Sequence, residues 1–312
     1  MCRSLVILLW LVLVSLFSSA EEQTENSFEL VDGDRVLFLG GSFFERALDY
    51  GHLEMALTLR FSDQDIIFRN IGWDGDTVFG HSRTGGRRRA VFGDAEEGFQ
   101  RMAKHVRSLE PSVIFLSYGT NESFGGIGEV PRFKKGLHRL IEMLGDSGKV
   151  RFVFLSPLPV SPNFIPDPSY YKERHSTLMA YTEALRSVAA QMEYPFVDLI
   201  RPLANAEFTT NGLYANSLGY RLIASQVAQQ LKLPSPRIES TSSKAEILRA
   251  FIIKKNSLYF HRWRPRNDAF VYGERKDEQK IAQTEPAKFE SFIVKQETHI
   301  REFLKSIAPK TP

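Results

Sequence analysis

Residues 35–44 have the sequence RVLFLGGSFF, and this stretch decides the predicted fold. Its first half is an almost uninterrupted apolar run, which is typical of a central parallel strand buried on both faces. Two glycines then permit a tight turn, and apolar residues recur at helical spacing over residues 43–61. Ser42 therefore lies where a strand ends and a helix begins. Its hydroxyl is either a helix N-cap or a nucleophile held on a rigid turn at the carboxyl edge of the sheet.

The same alternation of strand and helix continues along the chain. Further strands are predicted at residues 65–70, 113–116, 150–155 and 195–199. Amphipathic helical patterns separate these strands, so the sequence predicts an α/β fold with a five-stranded parallel sheet, helices on both faces and right-handed crossovers. With 312 residues, of which 43% are hydrophobic, the chain can form one domain of about 200 residues plus an appendage.

The two ends of the chain differ from this middle part. The sequence begins with a short basic start, an apolar run over residues 5–17 and small residues before Glu21, which is typical of a secretory signal. The predicted organisation is a signal peptide at 1–20, a flexible segment at 21–31, the main domain at 32–233, a linker at 234–243 and a helical C-terminal extension at 244–312. We expect a secreted or periplasmic protein with no membrane span after cleavage.

Composition excludes several classes of function. The net charge of +3 is small for this length, so the sequence does not indicate binding to nucleic acid or to a membrane surface. Cys2 is the only cysteine and lies in the signal, which excludes a disulfide or a cysteine metal ligand in the mature chain. No motif indicates a metal or another cofactor. The basic loop at 81–89, HSRTGGRRR, is either a solvated surface loop or a patch that attracts an anionic substrate.

Glycines and polar residues follow three of the predicted strands. The segments are Gly40-Gly41-Ser42, the loop that contains Gly72 and Gly75, and Gly119-Thr120-Asn121. In order and spacing they resemble the blocks of the SGNH hydrolases, the GDSL-type esterase family, whose first block is Gly-Asp-Ser and whose third is Gly-x-Asn. The resemblance covers residues 32–233. It implies a three-layer, flavodoxin-like SGNH sandwich and hydrolysis of esters, with carbohydrate acetyl esters as one possible substrate class.

The resemblance also implies roles for individual residues. Ser42 is the nucleophile, and the oxyanion is stabilised by the backbone N–H groups of Ser42 and Gly75 and by the side-chain amide of Asn121. Each such donor typically lowers the activation barrier by about 3 kcal/mol. Glycine is expected at position 75 because a side chain would block the approach of substrate. In the first block Gly41 replaces the family's aspartate, which we expect to be a mild change.

The family's last block, Asp-Gly-x-His, is altered in this chain. Residues 210–220, TNGLYANSLGY, align with it and put Asn211 at the aspartate and Tyr214 at the histidine. Phenols titrate near pH 10, so a tyrosine does not remove the serine proton as an imidazole does. Losing the base costs on the order of 10⁴ to 10⁶ in rate. Two histidines, His81 and His261, are candidates for a substitute base, although a lone histidine is more often structural.

Three functions therefore remain open at the level of sequence. The first is a secreted ester hydrolase, the second an inactive protein of the same fold that binds a glycan or acyl ligand, and the third a structural envelope protein whose extension makes contacts. Residues 255–265 are similar to C-terminal extensions of a secreted bacterial branch of the family. Their aromatic residues indicate a helical pair packed on the main domain, or a clamp for a sugar or polyanion formed by Tyr259, Arg262 and Trp263.

Overall fold

The computed structural model describes residues 27–83, 95–145, 148–165, 167–204, 207–273 and 275–307. The predicted signal peptide lies outside these residues. The strands are β1 (Arg35–Gly40), β2 (Ile67–Asn70), β3 (Val113–Ser117), β4 (Arg151–Leu155) and β5 (Phe196–Val197). The α-helices are α1 (Ser42–Tyr50), α2 (His52–Arg60), α3 (Ala95–Leu109), α4 (Val130–Leu144), α5 (Pro168–Gln191), α6 (Ile200–Leu203), α7 (Ser217–Gln230), α8 (Ser243–Trp263), α9 (Asp268–Val271) and α10 (Glu285–Ile307).

The strands form one parallel sheet, and the prediction of five strands is confirmed. Their order is β2-β1-β3-β4-β5, with every neighbouring pair parallel. The chain moves to one side of β1 to form β2 and then crosses to the other side to form β3. In open α/β sheets, ligands bind at the carboxyl ends of strands where the order reverses in this way. The residues that follow β1 and β3 therefore border the expected crevice.

Two apolar cores lie on opposite faces of the sheet. Consecutive residues of a strand point to opposite sides, so Phe38 enters one core and Leu39 the other. Helices α3, α4 and α5 cover the Leu39 side, whereas α1, α2 and α7 cover the Phe38 side. The predicted three-layer α/β sandwich is confirmed, and the buried runs of β1, β3 and β4 explain why these strands contain almost no polar residues.

Local structure differs from the prediction at three places. The predicted single helix at 43–61 is divided because Gly51 adopts a left-handed conformation with φ of 65° between α1 and α2. Of the segment 21–31, which was predicted to be flexible, the structure describes residues 27–31. In this part Leu30 is buried and Phe28 packs edge-on against Phe115. Helix α8 continues through Trp263, so much of the predicted aromatic and basic stretch is helical.

The C-terminal extension packs against the main domain. Helix α8 lies against α1, α2 and the edge strand β2, and α10 packs on α8. Buried Lys255 of α8 forms an ion pair with buried Glu54 of α2 and donates to the Phe68 carbonyl oxygen at 3.1 Å. Asn256 donates to the same carboxylate at 3.0 Å. Within the described residues, no helix combines the length and apolar character needed to cross a bilayer.

The end of α8 contacts the loop that follows β2. The Trp263 ring lies edge-on to the Trp73 ring at 5.5 Å, and the Arg264 guanidinium lies 4.1 Å above the Trp73 ring. Arg264 also forms an ion pair with Glu45 at 2.6 Å, and the Glu45 carboxylate accepts the backbone N–H of Asp74. The aromatic residues at this end of the extension are thus used in packing on the main domain.

Candidate active site

A pocket with about 750 Å³ of empty space lies where β1 and β3 end. Most of its walls come from residues 41–46, 117–124, 158–160 and 213–215, and Asp76, Arg174, Leu178 and Tyr220 complete them. Ser42, Asn121 and Tyr214 all line this pocket, and Gly75 contacts Ser42. The structure therefore brings together residues that are far apart in sequence and that the family resemblance assigns to one site.

Ser42 is held at the start of α1 without acting as its cap. Gly41 occupies the N-cap position, and no side-chain capping hydrogen bond is formed. The buried Ser42 Oγ instead accepts the backbone N–H of Gly75 at 3.3 Å. Of the two interpretations of this serine, the N-cap hydroxyl is wrong, and the side chain points toward the loop after β2.

Gly75 is required by its backbone conformation. Its φ of 75° is left-handed, and a Cβ atom at this position would lie 3.2 Å from the Ser82 Oγ atom. No other protein heavy atom lies within 4 Å of that Cβ position apart from the glycine's chain neighbours, so the expectation that a side chain there would block substrate stays a prediction. The left-handed turn is part of the local geometry that directs the Gly75 N–H at the Ser42 hydroxyl.

Asn121 is oriented by one of its two amide protons. Its Nδ2 donates to the Asp76 carbonyl oxygen at 2.7 Å, which leaves the second Nδ2 proton for another acceptor in the pocket. A Cβ at Gly41 would lie only 2.8 Å from this Nδ2 and 3.1 Å from the Asp76 carbonyl oxygen. In this chain the glycine that replaces the family's aspartate is therefore not a neutral change, because the position of Asn121 depends on it.

Replacing Gly41 with alanine is expected to displace the Asn121 amide and to lower kcat/KM for a small acetyl ester by about 10-fold to 100-fold, because an oxyanion donor is misplaced. The measurement is the rate of hydrolysis of p-nitrophenyl acetate. Gly128→Ala is the matched control, since a Cβ there meets no atom within 4 Å. Equal rates for the two variants would contradict this account of Gly41.

The two positions of the altered block lie in one tight turn. The Asn211 side-chain oxygen accepts the backbone N–H groups of Leu213 at 3.2 Å and of Tyr214 at 3.1 Å, so it stabilises the turn. The Tyr214 ring faces the pocket, and the guanidinium of Arg46 stacks on it with Cζ 3.7 Å from the ring centroid. Sequence reasoning did not identify Arg46, although its spacing of four residues from Ser42 on a helix is the signal that places it here.

The predicted substitute bases do not reach the pocket. His81 Nδ1 lies 2.9 Å from Thr77 Oγ1, and the ring of His261, on α8, packs near Phe289. Burial lowers the pKa of both imidazoles. All seven histidines lie in the described part of the chain, and none of them lines the pocket.

Two carboxylates, those of Asp76 and Glu122, fix the loops around the pocket. Asp76 is fully buried and accepts Arg83 Nε at 2.6 Å and the Tyr118 hydroxyl at 3.2 Å. Arg83 is the first arginine of the predicted basic loop but is itself buried, and residues 84–89 of that loop lie outside the described residues. The half-buried Glu122 accepts the backbone N–H groups of Val78 and Gly119, each at 2.8 Å, and desolvation raises its pKa to about 7. Within the described ranges, no group of side chains suited to a metal ion occurs.

Comparison with known proteins agrees with this geometry. The profile of the GDSL-like lipase/acylhydrolase family matches residues 38–222. Similar solved structures include BT4096, a gut microbial diltiazem-metabolizing enzyme, with 19% identity, a TM-score of 0.50 and coverage of 65% of this chain and 48% of that one. A catalytic mutant of Axe2, an acetylxylan esterase from Geobacillus stearothermophilus, has 15% identity, a TM-score of 0.50 and coverage of 68% and 100%.

These structural matches show a shared fold, since their sequence identities are low. The chain spans about half the length of BT4096, with 48% covered. No curated protein matches the sequence at a significant level.

Proposed function

The chain belongs to the GDSL-like lipase/acylhydrolase family, and from this premise we propose that it is a secreted serine ester hydrolase that removes small acyl groups such as acetyl from carbohydrates. The observation that carries the proposal is the hydrogen bond from the Gly75 N–H to the Ser42 hydroxyl, in the pocket that Asn121 also lines. The fold similarity to an acetylxylan esterase supports the choice of substrate. The signal-like sequence of residues 1–20 supports secretion.

The pocket geometry suits acyl transfer to Ser42. Attack of its Oγ on the ester carbonyl carbon moves negative charge to the carbonyl oxygen and forms a tetrahedral intermediate. The Gly75 N–H and the second amide proton of Asn121 then donate to that oxygen, each lowering the barrier by about 3 kcal/mol. The ester C–O bond then breaks, the departing alcohol oxygen takes up the proton that Ser42 has lost, and water hydrolyses the acyl-serine to the free acid and the Ser42 hydroxyl.

The pocket lacks a histidine that could act as general base for Ser42. No histidine lines the pocket, so the proton of Ser42 has no imidazole to receive it. Turnover is expected to fall on the order of 10⁴-fold to 10⁶-fold below that of an intact serine and histidine pair. The same observation favours a second candidate function, in which the protein binds a glycan or acyl ligand in this pocket without hydrolysing it.

The test is hydrolysis of p-nitrophenyl acetate and of acetylated xylose by the purified mature chain and by Ser42→Ala. We expect slow hydrolysis by the native protein and none by the variant, because the nucleophile is removed. Ser306→Ala, at the far end of α10, is the matched control and keeps the native rate. Equal rates for the native protein and Ser42→Ala would contradict the hydrolase, and binding of the sugar without any hydrolysis would support the second candidate.

A further inference from the structure

Arg46 brings a positive charge into the Ser42 pocket. It follows Ser42 by one helical turn on α1, so the two side chains project from the same face, and both line the pocket. The Arg46 guanidinium rests on the Tyr214 ring, while its Nε is shielded from solvent and donates to no acceptor in the described residues. None of the ion pairs formed within that part of the chain includes Arg46.

The acidic side chains that line the pocket form no ion pair with Arg46. Asp76 is paired with Arg83, and Glu122 accepts two backbone N–H groups. Arg174 is the second arginine of the pocket. It is buried, and it donates to the backbone carbonyl and to the hydroxyl of Ser123, each at 3.0 Å. Neither Arg46 nor Arg174 forms an ion pair within the described residues, and Glu122 is the one carboxylate lining the pocket that is not paired with an arginine, so positive charge is in excess there.

Aromatic side chains accompany both guanidinium groups. Tyr214 lies under Arg46, and Phe124 lies 4.0 Å under Arg174 with 58% of its side chain exposed. Leu213 is also exposed at the pocket. A ligand that combines an apolar ring face with a negative charge suits such walls, because the ring packs on the aromatic groups and the charge meets the guanidinium.

We propose that the ligand of this pocket carries a carboxylate near its ester group, and that Arg46 binds this carboxylate. Among carbohydrates, the class that meets this requirement is an acylated uronic acid or a polysaccharide that contains one. A guanidinium offers a planar fork of N–H donors that matches the two oxygens of a carboxylate. The inference rests on the function proposed above in that it names the substrate class of the same site.

The test compares two sugars that differ only in charge, methyl glucuronide and neutral methyl glucoside, by titration calorimetry on the mature chain. We expect the glucuronide to bind about tenfold or more tightly than the glucoside. Arg46→Gln is expected to remove this preference, and Arg46→Lys to keep part of it, since lysine retains the charge but not the fork. High salt should weaken binding of the glucuronide alone.

Arg221→Gln removes the same charge from an exposed position outside the pocket, and it should keep the preference for glucuronide. Equal binding of the two sugars by the native protein, or an unchanged preference in Arg46→Gln, would overturn the inference. Tighter binding of glucose 6-sulfate than of glucuronide would also overturn it, by assigning the anion to sulfate. Neither methyl glycoside contains an acyl ester, so failure of the Ser42→Ala test would leave this result intact.

Discussion

Restoring both residues of the altered block, with Asn211→Asp and Tyr214→His in one chain, is expected to raise kcat/KM for a small acetyl ester by about 10²-fold to 10⁴-fold. Tyr214 lines the same pocket as Ser42, so an imidazole at this position enters the site that lacks a base. The nearby Arg46 guanidinium disfavours a second positive charge, which keeps the imidazole neutral and able to accept the Ser42 proton.

The turn that holds these two positions should tolerate the change. An aspartate carboxylate at 211 retains an oxygen for the backbone N–H groups that Asn211 now accepts. Tyr214→His alone is expected to give a smaller gain, because the aspartate that orients the imidazole is still absent.

The increase in kcat/KM of the double variant is measured from its rate of p-nitrophenyl acetate hydrolysis. Tyr170→His introduces an imidazole at an exposed position that does not line the pocket, and it should leave the rate unchanged. Adding Ser42→Ala to the double variant should abolish the gain. A folded double variant with the native rate would show that residues 210–220 do not correspond to the family's last block.

Glu54→Gln is expected to lower the free energy of unfolding by about 3 to 5 kcal/mol, because the variant leaves the charge of Lys255 buried without a counterion. Glu54 and Lys255 have exposed side-chain fractions of only 5% and 2%. Burial lowers the pKa of Lys255, and the Glu54 carboxylate opposes that change. Urea unfolding followed by circular dichroism gives the free energy.

A surface ion pair supplies the control for this measurement. Glu97 and Arg101 are four residues apart on α3, are about half exposed and lie 3.0 Å apart, so Glu97→Gln should cost less than about 1 kcal/mol. Glu54→Met together with Lys255→Met should recover part of the loss, since no unpaired charge remains. If Glu54→Gln and Glu97→Gln have equal effects, the buried pair does not stabilise the packing of the extension.

The sheet was predictable because its signal is local. Each strand is a short apolar run, and a run such as residues 35–39 has the length of a strand and is too short for a buried helix. The division of the first helical pattern at Gly51 was missed, because a glycine within a helical pattern is compatible with either continuation or termination. Its φ is 65°, and a Cβ atom there would lie 3.1 Å from Ile253 Cγ1 of α8, so the extension packs closely on this turn.

The site residues were predictable only where the order of motifs along the chain determines their position at the edge of the sheet. Ser42, Gly75 and Asn121 follow successive strands of the sheet, so parallel topology brings them to one edge. The location of His261 depends instead on how the extension packs, and residue spacing contains no information on that. Arg83 illustrates the same limit, because a run of basic residues indicates solvent exposure, whereas its burial depends on the position of Asp76.

The contacts of Arg264 and Trp263 determine where the chain can be shortened. Arg264 forms an ion pair with Glu45, and the Glu45 carboxylate accepts the Asp74 N–H. The side chains of Trp263 and Arg264 both pack on Trp73, two residues before Gly75. A recombinant fragment that ends at residue 233 would contain every motif of the family. It would lack Trp263 and Arg264, and with them the contacts described above to the loop that contains Gly75. We therefore expect the smallest fragment that keeps the native geometry of this loop to include α8 and Arg264.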